Sequence, residues 1–185
     1  MINRIIEETE SFMMRNIPKS RASDEDSTQG YLKHVLGVKK YALELADIYN
    51  ADKFTLEIAA LLHDIGADAE NHALESKVIA EKLISNFDIP RGIVNKILSC
   101  IENHSMGTKA ETLEEQIIQD ADGIIFIEDT YKYFYKKQLK YSLEEAKKLT
   151  IDKTKGMLGK INTDEGKKIA NNYLEKTLNE IEHFS

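Results

Sequence analysis

Four of the chain's five histidines fall between positions 34 and 104, and each sits where a helix would turn it inward. His63 and Asp64 close the apolar run of ALLHDIGADAE, residues 60–70. For a histidine there, the ordinary reading is a helix C-terminus, where the negative end of the dipole favours positive charge. His34 shares a stripe with Val38, Tyr41, Ala42 and Leu45, and His72 with Ser76, Ile79 and Leu83. His104 lines up with Ile93, Ile97, Cys100 and Ile101. Spacings of three and four put each set on one helical face. One inward histidine reads as a satisfied core residue. Four together read differently, because buried imidazoles cost free energy unless each has a partner, and a shared cation is the simplest partner. Carboxylates must help balance that cation. Asp64 is one, and Asp120 and Asp122 in QIIQDADGIIF are the next candidates. Two acids among Ile117, Ile118, Ala121, Ile124 and Ile125 are expensive to bury unpaired. Their helical angles also let both reach water at the stripe edge, so periodicity leaves the choice between them open. His183 lies in a polar tail and reads as a surface residue.

Helices must position these groups. The pattern predicts a short amphipathic helix over 2–16, then a polar connector, PKSRASDEDSTQG (18–30), which is either a loop near a site or a linker. A helix follows over 31–49. The next has Asp52 as N-cap and Gly66 as its stop. ALESKVIAEKLISNF and IVNKILSCIENHS give two more, separated by DIPRG, where Pro90 suits a first turn. Thr112 to Glu115 has capping-box spacing and opens a long helix over 113–140. Two further helices are predicted over 142–158 and 164–183. No strand alternation or repeat is present, so the fold class is all-α.

Composition narrows the function classes. With 42% hydrophobic and 31% charged residues over 185 positions, the chain suits one globular domain with a real core. Only 2 prolines and 9 glycines favour long helices. A net charge of −7 argues against a nucleic-acid polymer as ligand. The single cysteine, Cys100, excludes an intrachain disulfide and a Cys-rich zinc site, and reads as a small core residue. No run approaches the ~20 apolar residues of a membrane span, and the N-terminal residues lack an apolar stretch of signal-peptide length. A cytoplasmic protein without membrane association is expected.

The order His34, His63–Asp64 and a late Asp in ADGI resembles the H…HD…D pattern of the HD-domain metal-dependent phosphohydrolase superfamily. The similarity spans about residues 28–130 and includes ALLHDIG, IENH and QDADGI. It implies a single-domain HD-type helical bundle: an N-terminal helix and connector (1–27), an HD core (28–130) and C-terminal packing helices (131–185). It implies metal ligands His34, His63, Asp64 and Asp122, the last because the family's final ligand usually follows an Ala, here Ala121. His72 and His104 resemble the extra histidines that some members use for a second metal, for phosphate or for proton transfer. Many members place a Lys soon after the HDIG string, where this chain has Ala67 and Asp68.

Imidazoles and carboxylates suit one or two divalent ions among Mn, Fe, Co, Ni and Zn. Such an ion activates water and polarises a phosphoryl oxygen, with Asp64, His72 and His104 as the catalytic candidates. The expected substrate is a small phosphate ester or phosphoanhydride, with a nucleotide implied by the resemblance alone, and a homodimer is compatible. The alternatives are a non-catalytic nucleotide or metal sensor and, further off, a di-iron oxygenase. Lys132, Lys136, Lys137 and Lys140 read as a solvated face, and Tyr131, Tyr133 and Tyr135 as packing residues.

Overall fold

Asp52 opens the helix that ends at the HD pair, accepting hydrogen bonds from the Thr55 amide at 3.1 Å and the Thr55 hydroxyl at 2.9 Å. The same side-chain chemistry starts most of the elements. In chain order they are α1 (Ile2–Arg15), a 3-10 turn (Lys19–Arg21), α2 (Glu25–Tyr49), α3 (Lys53–Leu62), α4 (His72–Ile84), α5 (Arg91–Glu102), α6 (Leu113–Glu128), α7 (Thr130–Gln138), α8 (Leu143–Lys160) and α9 (Asp164–Glu182). The computed structural model describes residues 1–105 and 107–184; the side chains of Tyr131 and Lys132 also lie outside the described residues. Among the described residues every regular element is helical, as the sequence pattern predicts. No helix is long and apolar enough to cross a membrane.

Three boundaries differ from expectation. The first is the end of α3, which closes at Leu62 with His63 as its C-cap, so Gly66 lies in the following loop and is not the stop. The polar connector is shorter than 18–30, because Asp24 accepts from the Ser27 amide at 2.7 Å and starts α2 at Glu25. A good N-cap outweighs the polar composition of that first turn. The long helix over 113–140 is broken at Asp129, which pairs with Lys33 and ends α6 before α7 begins. Thr112 and Glu115 form the predicted capping box at the start of α6.

α3 is the centre. Leu56, Ile58, Ala59, Ala60, Leu61 and Leu62 are all buried, as suits a helix that is apolar nearly all round. Around it pack α1, α2, α5 and α6, and α8 and α9 close over α6. Two glycines set the closest approaches. A Cβ at Gly37 on α2 would lie 2.5 Å from Ile125 Cδ1 on α6, so its absence lets these helices meet beside His34. One at Gly66 would lie 2.5 Å from the Ser76 amide nitrogen, and the Gly66 N–H instead donates to Ser76 Oγ at 2.9 Å. That contact seats the first turns of α4, and His72 with them, against the HD loop.

Candidate metal centre

Five segments deliver the inward groups to one place. His34 comes from mid-α2, His63 and Asp64 from the end of α3, His72 from the first turn of α4, His104 from just beyond α5, and Asp122 from α6. His34 Nε2 lies 3.1 Å from His63 Nε2, 3.3 Å from Asp122 Oδ1 and 3.7 Å from Asp64 Oδ2. Asp64 Oδ1 turns the other way, 3.5 Å from His104 Nε2 and 3.8 Å from His72 Nε2. The result is two adjoining triads, His34–His63–Asp122 and Asp64–His72–His104, each with its donor atoms within 4.8 Å of one another. The His63 and His104 ring centroids are 5.0 Å apart across the junction.

The tautomers follow from the backbone. His63 Nδ1 is 2.8 Å from the Ala60 carbonyl, and His104 Nδ1 is 2.6 Å from the Ile101 carbonyl. A carbonyl can only accept, so both Nδ1 atoms carry the proton and both Nε2 lone pairs face inward. His63 is fully buried, and burial pushes its pKa down to about 4 against the pull of Asp64, so the ring is neutral near pH 7. Helices α3 and α5 both aim their C-terminal ends at the centre, adding partial negative charge. The donor set fits a divalent transition ion. Separations of 3.1 and 3.3 Å match the roughly 3 Å edge of an octahedron with bonds of about 2.1 Å.

Asp120 and Asp122 part company. Asp122 faces His34 and also pairs with Lys160, whose side chain is only 3% exposed. Burial works against the Asp122 charge, and Lys160 followed by the imidazoles more than offsets it, holding the carboxyl below its ordinary range. Asp120 is buried on the opposite face. It accepts from the Asn162 and Thr163 amides at 2.5 and 2.9 Å and from the Thr163 hydroxyl at 2.6 Å. It fastens the turn between α8 and α9 and takes no part in the triads. His183 is exposed, and Cys100 is buried in the core with its thiol pKa pushed up by burial.

All members of the triads except the fully buried His63 line the floor of a cleft of about 530 Å³, a size suited to a small ligand. Several lining residues were not singled out by sequence pattern: Arg21, Tyr31, Phe126, Lys153, Met157 and Lys160. Long-range packing brings them in, and nothing local marks them. Tyr133 and Lys136 line the cleft too, rather than serving only as packing and solvated face, because they continue across the break at Asp129 the helical face that carries Asp122, Phe126 and Asp129. Phe126 and Tyr133 meet edge-on with centroids 5.3 Å apart, and Lys153 Nζ lies 5.7 Å from the Phe126 centroid. Lys137 stacks over Tyr133 at 4.9 Å, while Tyr135 and Lys140 are exposed.

Comparison with known proteins gives a consistent picture. The model of the HD domain family matches residues 31–126. An HD-superfamily hydrolase from Bacillus thuringiensis has a similar crystal structure, with a TM-score of 0.73 at 20% identity, covering 98% of this chain and 97% of that one. YpgQ of Bacillus subtilis is similar to the same degree, with TM-score 0.73, 20% identity and coverage of 98% and 94%, and has also been crystallised in complex with ADP. The Lin1889 protein of Listeria innocua has a TM-score of 0.70 at 23% identity, with 98% and 94% covered. At these identities the likeness speaks for the fold.

Proposed function

Because the chain belongs to the HD domain family, we propose that it is a metal-dependent phosphohydrolase whose substrate is a small phosphate ester or phosphoanhydride, in particular a nucleotide. The observation that carries this reading is the pair of His/Asp triads on the floor of a cleft whose walls bear arginine and lysine. In this reading His34, His63, Asp64 and Asp122 hold the first ion, one of Mn, Fe, Co, Ni or Zn. A divalent ion held there supplies Lewis acidity, lowering the pKa of a water and drawing electron density from a phosphoryl oxygen.

The chain's own residues do the remainder. His63 and His104 present Nε2 because their Nδ1 protons are committed to carbonyls. Asp64 offers one oxygen to each triad, so with His72 and His104 it holds a second ion where two bind. With a single ion, Nε2 of His72 and His104 instead serves the phosphate and the leaving oxygen when it carries a proton, which for His104 means the imidazolium, since its Nδ1–H stays on the Ile101 carbonyl. Lys160 fixes the Asp122 carboxylate against the cleft. Phe126 and Tyr133 offer ring surface for a base, and Lys136 and Lys153 offer ammonium groups for its phosphates. The ADP complex of the B. subtilis relative supports the nucleotide class.

Elemental analysis of the purified protein beside a panel of phosphate esters and nucleotides tests the reading. A chelator should abolish hydrolysis and added Mn should restore it. Full activity in His63→Ala would sink the assignment. Nucleotide and metal binding with no turnover under any of these metals would make the protein a sensor instead.

A further inference from the structure

Pro18 precedes the Lys19–Arg21 turn and has no side-chain oxygen with which to cap it. The cap comes from a distant loop. Asp68, just past the HD pair, accepts from the Lys19 amide through Oδ2 at 2.7 Å and from the Ser20 amide through Oδ1 at 2.8 Å. Both orphan N–H groups of the turn are thereby satisfied by one carboxylate. The next residue, Arg21, lies on the cleft wall, and among the described residues no carboxylate pairs with its guanidinium. Tyr31 lines the same cleft. It is only 4% exposed, yet its phenolic oxygen is buried with no hydrogen-bond partner among the described residues. Burial and then the nearby Asp64 push the Tyr31 pKa up while Arg21 opposes them, so the phenol keeps its proton and can donate it. A buried donor without an acceptor is costly to maintain, and a guanidinium on the same cleft, unpaired among the described residues, supplies charge and a planar fork. Both groups call for an anionic, acceptor-rich partner, and a phosphate oxygen meets that need for each.

We propose that Arg21 and Tyr31 form a phosphate-binding subsite for the substrate, and that Asp68 is a positioning residue that delivers Arg21 to it through the Lys19–Arg21 turn. The subsite rests on the hydrolase reading for its role, but its binding can be measured without turnover. The probe is inorganic phosphate, titrated calorimetrically into the full-length, Mn-loaded protein with Mn content checked for each variant. Arg21→Gln should weaken phosphate about 10- to 100-fold, the size of a lost charge-assisted pair, and Arg21→Lys should recover only part of it. Tyr31→Phe should weaken it by about 2- to 10-fold without lowering Tm, since removing an unpaired buried hydroxyl costs the fold nothing. Asp68→Ala should weaken it several-fold in the wild-type background (~5-fold) and not at all in Arg21→Gln, because both act on one contact.

Phosphate affinity within twofold of wild type in both Arg21→Gln and Tyr31→Phe would overturn the subsite. A full Asp68→Ala effect on top of Arg21→Gln would overturn the positioning role. Arg21-dependent phosphate binding in a protein that hydrolyses no phosphate ester would sink the hydrolase reading alone. Normal hydrolysis with phosphate binding indifferent to Arg21 would sink the subsite alone.

Discussion

On one face of α6, Asp120 is enclosed by the α8–α9 turn and receives N–H and O–H donors from Asn162 and Thr163. On the other, Asp122 looks toward His34 and is met by a single ammonium, that of Lys160. Two positions along a helix is a rotation of roughly 200°, so neighbours in sequence serve opposite sides of the molecule. Saturation separates them. A carboxylate whose lone pairs are taken by the backbone and side-chain donors of one tight turn is a fastener, whereas one that shares its surroundings with imidazoles still has coordination to offer. Burial alone would not distinguish the two.

The largest effect that could break this contrast is expected from Asp122→Asn. It should weaken Mn binding at least about 100-fold and abolish hydrolysis, while the metal-free protein keeps its fold at a cost of about 2–3 kcal/mol, since the buried Lys160 ammonium loses its partner. Calorimetric metal titration and circular dichroism would check it, and metal binding at wild-type strength would show that Asp122 is no ligand. Asp120→Ala is the converse. It strands buried N–H and O–H groups and should cost about 3–4 kcal/mol in denaturant unfolding, with Mn content per folded molecule unchanged.

Lys160→Met should come next. With the ammonium gone, the metal-free protein should lose about 2–3 kcal/mol, because Asp122 is left uncompensated. Added Mn should then raise Tm more in the variant than in wild type, since the ion takes over the missing positive charge. Equal Mn-induced shifts would mean that Lys160 and the ion do not compete for the same carboxylate. Smallest is Gly66→Ala, expected at about 1–3 kcal/mol because the new methyl meets the backbone of α4. It should loosen binding at the His72 triad more than at the His34 triad, measurable as loss of the second equivalent if two ions bind.

How much of this the sequence discloses depends on range. The inward histidines are legible because helical periodicity is local, and each stripe names its own face. Choosing between Asp120 and Asp122 is not legible from the same pattern, because what saturates Asp120 is a turn at residues 162–163, far along the chain. The capping signals at Asp52 and Thr112 read correctly, yet Asp24 hides in a polar stretch that looks like linker. Asp129 breaks what periodicity alone continues to residue 140, yet Tyr133 and Lys136 keep the helical spacing of Asp122 and Phe126 and share their cleft. Arg21, Lys153 and Lys160 carry no local mark, since a cation on a helix face looks the same in water as on a cleft wall. Asp68 stands out only where the HDIG resemblance leads one to expect a lysine.

The rings of His63 and His104 are each tied to the carbonyl three residues earlier, at the C-terminal ends of their own helices. Folding itself therefore meets the entropic cost of orienting these imidazoles and selecting their tautomers. An arriving ion finds lone pairs already aimed, so uptake should be governed by how fast it sheds its hydration shell, with little left for the protein to rearrange.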